Sequence, residues 1–577
     1  MGFSGTDAGG FRWEGFQSGA PSQKPPPPPR PKKPRKPMGN AVTRTLLNFV
    51  VTLVVGFVYF YVTLPAINLQ SEEFYAFALL LCIVYCVSAI VTSGFQGEGF
   101  KGYFQFVKKQ CLVPAVVAVG LLVIAIAGSV AGAVIFRARS YAQLLPIETG
   151  DFVAEVDEIS YNQIPMLDKD SAERLGDRKL GELSDMVSQF EVNEDYTQIN
   201  YQGRPVRIAT LSYADIIKWI TNRSDGLPAY LIIDMVDQSV ELVRLEEGIK
   251  YTTAEHFGRN LYRHLRFRYP TFMFAQPVME VDEEGTPYWV CARLVKTIGL
   301  FGGVDVKGGV LVNAITGESQ YYEEVPPWVD NLYNANLITQ QYDYYGMYHN
   351  GFFNSIFGQR DVTITTEGYN YIAINDDVYV YTGITSTGGD QSNIGFILTN
   401  QRTKETKFYS CAGATEYSAM DSAKGELQNL RYNATFPLLL NVGGQPTYFM
   451  AMKDAAELVK KYAMVNVQQY TIVATGDTVA ECEANYLAML RSRGVITSDD
   501  VGLAGQETAT GTVAEIRSAV LDGNSVYFVR LVGYDTFYSV SAVKNPLAVI
   551  LSEGDQVEIT YVIGEGSILE GTEIKLR

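Results

Sequence analysis

Acid/base, metal or nucleophilic chemistry in this 577-residue chain would have to be built from three histidines, six cysteines and 63 carboxylates. His256 and His264 are spaced two helical turns apart, as a metal or acid/base pair would be, but Arg259, Arg263, Arg266 and Arg268 surround them. Nearby cations oppose a bound metal, so both are read as solvent-facing or capping residues. His349 follows Tyr342-Asp-Tyr-Tyr-Gly-Met-Tyr with no nucleophile and carboxylate arranged around it. Cys82 and Cys86 stand one turn apart in an apolar stretch without a third ligand, which makes them small packing residues. Cys291, Cys411 and Cys482 are odd in number and irregular in spacing, so they form no disulfide framework, although one bridge is open to them. HExxH, GxSxG and Walker patterns are all missing from the sequence. Paired carboxylates for glycoside cleavage stay open, because spatial pairing is invisible in sequence. The reading is a non-enzymatic chain with no catalytic residue, cofactor or metal.

Two patterns point to recognition instead. Gly128-Ser-Val-Ala-Gly132 is a GxxxG motif in an apolar stretch, where missing side chains let backbones approach, so Gly128 and Gly132 are the candidate helix–helix contact. Tyr342, Tyr344, Tyr345 and Tyr348 end a dense tyrosine run and form a candidate aromatic surface for stacking on sugars or gripping peptides. The competing reading is that these rings fill sheet faces, which tyrosine favours.

Three uncharged stretches stand upstream or around these residues: Leu46–Leu64, Phe74–Ser93 and Leu112–Phe136. Each meets the roughly 20 helical residues needed to cross a bilayer core. The first lacks a small-residue cleavage site and is read as a retained span. Arg30, Lys32, Lys33, Arg35, Lys36 and Arg44 precede it, and Lys101, Lys108 and Lys109 lie between the second and third spans. The loop between the first two has no Lys or Arg and holds Glu72 and Glu73. By the positive-inside rule the N-terminus is cytoplasmic and residues 137–577 lie across the plasma membrane, against the dissent of Arg137 and Arg139. The tail PSQKPPPPPRPKKPRKP holds nine of the 23 prolines and is an extended, coreless cytoplasmic segment.

Residues 1–139 carry thirteen basic and five acidic groups, net +8, leaving −25 of the chain's −17 total to the remainder. A body that acidic, with no basic stripe, excludes nucleic acid as its partner. Its pattern is α+β. Ser171–Phe190 carries an apolar helical face behind Asp170, and capping boxes at Thr252-Thr-Ala-Glu255 and Thr478-Val-Ala-Glu481 open helices over 253–267 and 479–493. Gly226-Leu-Pro-Ala-Tyr230, Gly285-Thr-Pro-Tyr-Trp289 and Gly444-Gln-Pro-Thr-Tyr448 each precede an apolar or alternating run, with a degenerate copy at Asn375-Asp-Asp-Val-Tyr379. GGVLVNAITGESQYY (Gly308–Tyr322) and GFILTNQRTKETKFY (Gly395–Tyr409) align without gaps as strand, Asn-x-x-Thr turn and strand, and AMVNVQQYTIV (Ala463–Val473) is a similar phrase.

The helix over 253–267, the strand ending Tyr288-Trp-Val290 and the segment Val310-Leu-Val-Asn-Ala-Ile-Thr-Gly-Glu318 together resemble the PepSY module. That module is a helix on a small antiparallel sheet whose last hairpin often carries an Asp/Asn-x-x-Thr-Gly-Glu turn. The resemblance covers about residues 250–325 and a looser copy over 345–425, where Lys404 replaces the turn glycine. It implies an extracytoplasmic module that binds or restrains partners such as peptidases, and it brings no catalytic residues. Five short alternating strands over 510–577 suggest a small OB-like or SH3-like barrel, too poor in Lys and Arg for a single-strand binding groove.

The expected organisation is a tail over 1–44, spans over 45–136, α+β domains over 137–340 and 341–500, and a barrel over 510–577. The expected function is a membrane-anchored scaffold of the cell envelope, of Gram-positive style, that binds an envelope protein or itself. A cell-wall polymer ligand, or a role as accessory subunit of a transporter or secretion system, are the alternatives. Sidedness tests the arrangement. A single cysteine at Ser552 in a cysteine-free background should react with a membrane-impermeant maleimide on intact cells, whereas reaction only after lysis would place the acidic body in the cytoplasm.

Overall fold

The computed structural model describes residues 37–94, 99–156, 164–374, 376–388, 392–496, 506–521, 524–542, 545–562 and 567–577. The proline-rich tail and Asn375 of the degenerate turn lie outside the described residues. The chain divides into two compact units, Met1–Val55 with Leu81–Val117, and Gly56–Leu80 with Ala118–Arg577.

Three helices are long and apolar enough to cross a membrane: α1 (Ala41–Thr63), α2 (Glu72–Ser93) and, after the shorter α3 (Gly99–Gln110), α4 (Leu112–Ala131). In the first unit the buried Asn48 carboxamide oxygen accepts from Ser88 Oγ at 2.8 Å and Thr92 Oγ1 at 2.9 Å. Hydrocarbon offers no water to these groups, so α1 and α2 satisfy each other's polar atoms. The inter-span segment expected as a loop contains α3, whose Phe106 is buried with Ala89 and Cys111. The third apolar run does not continue as helix to Phe136, because Ala133 turns extended (φ −64°, ψ 138°) before α5 (Val134–Ala142).

The second unit is mixed α+β with several small sheets. After β1 (Glu148–Gly150) and α6 (Phe152–Glu155), α7 (Lys169–Gly181) is capped by Asp168, whose carboxylate accepts from the Ser171 amide at 3.1 Å. The helix therefore starts earlier and ends sooner than its apolar stripe predicts. Met186 is buried from the turn that follows, and Phe190 from the first residue of β2 (Phe190–Tyr201). β3 (Arg204–Tyr213), α8 (Ile216–Asn222), β4 (Leu227–Asp234) and β5 (Val240–Ile249) complete an antiparallel meander, β2-β3-β4-β5.

Three copies of one topology follow. The first is α9 (Leu261–Arg268), β6 (Met273–Phe274), β7 (Val278–Val281), β8 (Pro287–Ile298), β9 (Gly302–Asn313) and β10 (Ser319–Tyr322). The second is α10 (Ala335–Tyr348), β11 (Thr363–Thr365), β12 (Asn370–Ile374), β13 (Asp377–Ser386), β14 (Ser392–Asn400) and β15 (Thr406–Ala414). The third is α11 (Glu416–Glu426), β16 (Asn433–Ala434), β17 (Leu438–Val442), β18 (Gln445–Lys453), β19 (Val459–Asn466) and β20 (Val473–Gly476), followed by α12 (Val479–Ser492). In each, the two short strands both pair with the third, the third with the fourth and the fourth with the fifth, all antiparallel. The Gly285 and Gly444 motifs open β8 and β18, and both glycines hold positive φ (+80° and +67°), which side chains resist. An expected domain border at 340/341 would cut through α10, whose Ile338 and Tyr342 lie in one core with Val380 and Ile397.

The Thr252 box does not open a helix. Thr252 Oγ1 does accept from the Ala254 and Glu255 amides, but Glu255 turns to Trp219 Nε1 and Tyr213 OH, and α9 begins at Leu261 behind the Asn260 cap. Thr478 does cap α12, accepting from the Glu481 amide at 3.2 Å.

The meander and the first module bury one core around Ile208, Trp289 and Val310, and the second and third modules another around Phe396, Tyr448 and Tyr486. The last five strands, β21 (Gln506–Leu521), β22 (Asn524–Leu531), β23 (Phe537–Ser541), β24 (Gln556–Val562) and β25 (Ile568–Leu576), close on themselves in the order β21-β22-β23-β25-β24 around Val529, Tyr538 and Ile559.

The aligned turns share their chemistry. Asn313 Oδ1 accepts from the Ile315 and Thr316 amides, and Asn400 Oδ1 from the Arg402 and Thr403 amides, all at 2.8–3.0 Å. Asn313→Ala and Asn400→Ala should each destabilise the folded body by about 1–2 kcal/mol, since each removes two such bonds. Comparable losses in melting temperature are expected; a large loss in one variant and none in the other would deny the equivalence of the modules.

Candidate functional site

The GxxxG face of α4 receives a hairpin rather than a helix. A Cβ on Gly128 would fall 2.6 Å from Leu300 Cδ2, and one on Gly132 3.0 Å from the Ile298 carbonyl oxygen. The turn between β8 and β9 is narrow enough to enter the groove that two missing side chains leave, which corrects the expected helix–helix contact. Tyr141 OH on α5 donates to the Gly132 carbonyl at 2.8 Å and closes the joint.

The same module grips the other spans at their ends. Arg266 Nε donates to the Leu64 carbonyl at 2.8 Å, and Arg263 Nε to the Tyr61 carbonyl at 3.3 Å with its guanidinium 4.2 Å from the Tyr61 ring. These are terminal carbonyls of α1 and its exit, which have no helical donor and carry the negative end of the helix dipole. Phe267 sets its ring edge-on to Phe60 at 5.6 Å. The α1–α2 loop adds Ile67 N to Pro270 O (2.7 Å), Asn68 Nδ2 to Thr271 O (2.9 Å) and a reciprocal pair between Gln70 and the Lys296 backbone (2.8 and 3.3 Å). Tyr75 of α2 meets Phe301 of the hairpin at 5.4 Å.

The four tyrosines do not make a free aromatic surface. Tyr342 is 2% exposed in the α10 core and bonds Thr363 Oγ1, Tyr344 packs edge-on to Tyr141 at 4.8 Å, and Tyr345 stacks on His349. Tyr348 stacks with Tyr344 and packs with Leu144 and Ile298. α10 lies against α5, so rings spaced for one helical face become packing between helices.

His264 Nε2 bonds the Gly317 carbonyl at 2.8 Å, and burial with Arg268 nearby lowers its pKa. Cys291, Cys411 and Cys482 are free thiols, and burial raises the pKa of each, that of Cys411 to about 11, so none is an activated nucleophile. Among the described residues no three His, Cys, Asp or Glu side chains converge as metal ligands.

A mixed apolar and cationic surface lies next to the α1 joint. Trp219, Arg223, Tyr251, Glu255, His256 and Arg259 line an open cavity of about 620 Å³. Beside it Ile216, Ile217 and Ile220 of α8 and Phe257 are each more than half exposed, and the Phe257 carbonyl accepts from Arg263 Nη1 at 2.7 Å. Apolar rings and cations in that mixture suit an amphipathic, anionic surface.

Sequence reasoning missed a buried polar seam where the meander, the first module and the second meet. The Glu280 carboxylate, on β7 and 0% exposed, accepts from the Asp330 and Asn331 amides at 2.8 Å each and from Asn331 Nδ2 at 3.0 Å. Asp330, also buried, accepts from the Asn200 amide at 2.6 Å. Burial pushes Glu280 up to about 7, and burial together with the Glu280 charge raises Asp330, with Asp376 and Asp377 adding to the effect. The Glu280 charge thus opposes ionisation of Asp330, and the two titrations depend on each other. Asp377 itself is held by Arg402 at 2.7 Å. No signal in the sequence marks the pair, since its members are 50 residues apart in unremarkable contexts.

No protein-family model and no curated protein matches the chain. Among solved structures, a mutant levansucrase of B. megaterium aligns over 76% of this chain and 97% of its own at 10% identity and a TM-score of 0.17. The levansucrase of Bacillus subtilis aligns over 74% and 97% at 8% identity and 0.17. At that score the likeness carries no argument about fold or activity.

The carboxyl pair sets a sign for pH dependence. Its folded pKa values lie above the ordinary carboxylate range, so the stability it contributes is complete below that range and is lost as pH rises toward 7. Melting temperature should rise from pH 8 to pH 5, and Asp330→Asn should flatten that rise. An unchanged slope in the variant would assign the pH dependence to other groups.

Proposed function

We propose that this chain is a membrane-anchored, non-enzymatic scaffold of the cell envelope that holds a row of binding modules at the outer face of the plasma membrane. The supporting observation is the joint between the first module and the ends of all three spans, through Arg263, Arg266, Gln70, and the Ile298–Gly302 hairpin against Gly128 and Gly132. An enzyme tethered by a flexible stalk has no need of that many fixed contacts, whereas a scaffold must keep its surface at a set height and orientation. In this reading the N-terminus is cytoplasmic, residues 137–577 are extracytoplasmic, and the cell is of Gram-positive type. The repeated helix and antiparallel strands support a PepSY-like assignment for the modules, and the closed five-stranded terminus an OB-like or SH3-like one. The partner is an envelope protein such as a protease, or a second copy of the chain. The wall-polymer reading loses its candidate surface with the burial of Tyr342 and the packing of Tyr344, Tyr345 and Tyr348.

Chemical cross-linking in cells followed by detergent extraction should recover the full chain with a stoichiometric envelope protein or with itself. Recovery of monomer alone, from cells in which the protein is expressed at its natural level, would count against a scaffold.

A further inference from the structure

Arg207 is the least expected charge in the body. It lies on β3 between Val206 and Ile208, whose side chains enter the core of the meander, and it points from the opposite face of the sheet. Only 7% of it is exposed. Its one hydrogen bond is a long one, 3.4 Å from Nη2 to the Gln198 carboxamide oxygen, and Nε has no acceptor. No ion pair reaches it among the described residues. Asp168, the carboxylate that lines the same cavity, is taken by Lys453 and by the Ser171 amide. A buried guanidinium without a counter-ion costs several kcal/mol, and proteins normally pair it or remove it.

Two cavities meet at this side chain. The first, about 220 Å³, is lined by Met235, Phe436, Leu438, Phe449 and Met450 together with Arg207 and Tyr371. The second, about 140 Å³, has a mixed lining, with Val278, Val290 and Leu332 beside its polar side chains. Arg207, Gln198 and Gln401 are among its lining residues, and Gln198 Nε2 and Gln401 Oε1, like Arg207 Nε, are buried without partners. Three unpartnered polar atoms, two of them donors, thus belong to side chains that line one space. The two cavities draw their walls from the meander and from all three modules, the first module lining the smaller and the third the larger, so the walls come from parts of the chain far apart in sequence.

We propose that this paired cavity is a binding site for a small amphipathic carboxylate, its carboxylate held by the Arg207 fork and Gln198 Nε2 and its apolar body lying among Met235, Phe436, Leu438, Phe449 and Met450. A planar guanidinium matches a carboxylate bidentately, which a single Nε donor left open beside Nη2 provides. The apolar lining next to one cation favours a monoanion with a hydrocarbon body over inorganic phosphate, whose remaining oxygens would find methionine and phenylalanine. The volumes admit only a small molecule.

The test uses the full chain in detergent, labelled at its methionine methyls, with hexanoate as probe, hexanamide as its neutral counterpart and inorganic phosphate as a competing anion. Hexanoate should shift the Met235 and Met450 methyl resonances saturably, and hexanamide should bind at least about tenfold more weakly, since it lacks the charge that Arg207 recognises. Arg207→Met should abolish the shifts without lowering the melting temperature of the ligand-free protein, because it removes an uncompensated buried charge. Arg207→Lys keeps the charge and loses the fork, so it should weaken hexanoate by about tenfold and serves if the Met variant does not fold. Absence of methyl shifts in the wild type, equal affinity for hexanamide, phosphate binding in preference to hexanoate, or hexanoate affinity retained in the substituted protein would each overturn the assignment.

Discussion

The structure rests on donors supplied to a helix end. The last carbonyls of a spanning helix lack helical donors just where the dipole is most negative. Here Arg263 and Arg266, both on one short helix of the α+β body, answer the carbonyls of Tyr61 and Leu64. The bond is made 202 residues away in sequence, so it fixes the body and not merely the helix cap. Once α9 is placed, β8 and β9 follow, and their turn falls on the two glycines of α4. The clustering of positive charge that argued against a metal at His256 and His264 is thereby accounted for, because two of those arginines serve the membrane helix.

From that fixed module the rest of the body is added by repetition. Each copy buries a helix against strands of the same order, but the copies are joined by contacts that differ. Lys404 takes the turn position that Gly317 holds in the first module, at a strained φ of +69°, and its ammonium reaches Asp305 of the first module at 2.7 Å. A residue poorly suited to its own turn is thus suited to its neighbour. The Leu332 and Tyr333 amides both donate to the Gln401 carbonyl, and Gln401 Nε2 donates back to Tyr333, which ties the linker to the same turn. Divergence between repeats has gone into the seams, and the seams hold the unusual electrostatics, Glu280 with Asp330 and the solitary Arg207.

What was legible in the sequence had a local cause. The spans declare themselves by twenty uncharged residues, the long strands by a glycine turn before them, and α12 by Thr478 and Glu481 at capping distance. The failures share a cause too. Thr252 with Glu255 satisfied the local rule, yet Trp219 of α8 and Tyr213 of β3 offered Glu255 better partners. Gly128 and Gly132 announced close approach without naming what approaches, and four tyrosines at helical spacing announced a face without saying that α5 covers it. The third module was visible only as a phrase, because Gln468 and Gln469 replace the threonine turn. Buried charges such as Arg207 and Glu280 look like surface charges until strands distant in sequence enclose them.

The order of synthesis gives the Gly128–Gly132 groove a further meaning. Residues 61–70 and 128–132 leave the ribosome before residues 263–302, so every part of the socket is synthesised before the hairpin that fills it. A ribbon emerging beside a completed membrane template needs to search only the surface of that template, which lowers the entropy of closing a loop of two hundred residues. The anchor would then act as an internal chaperone for the first module, and that module as the edge from which the next two are laid down in turn.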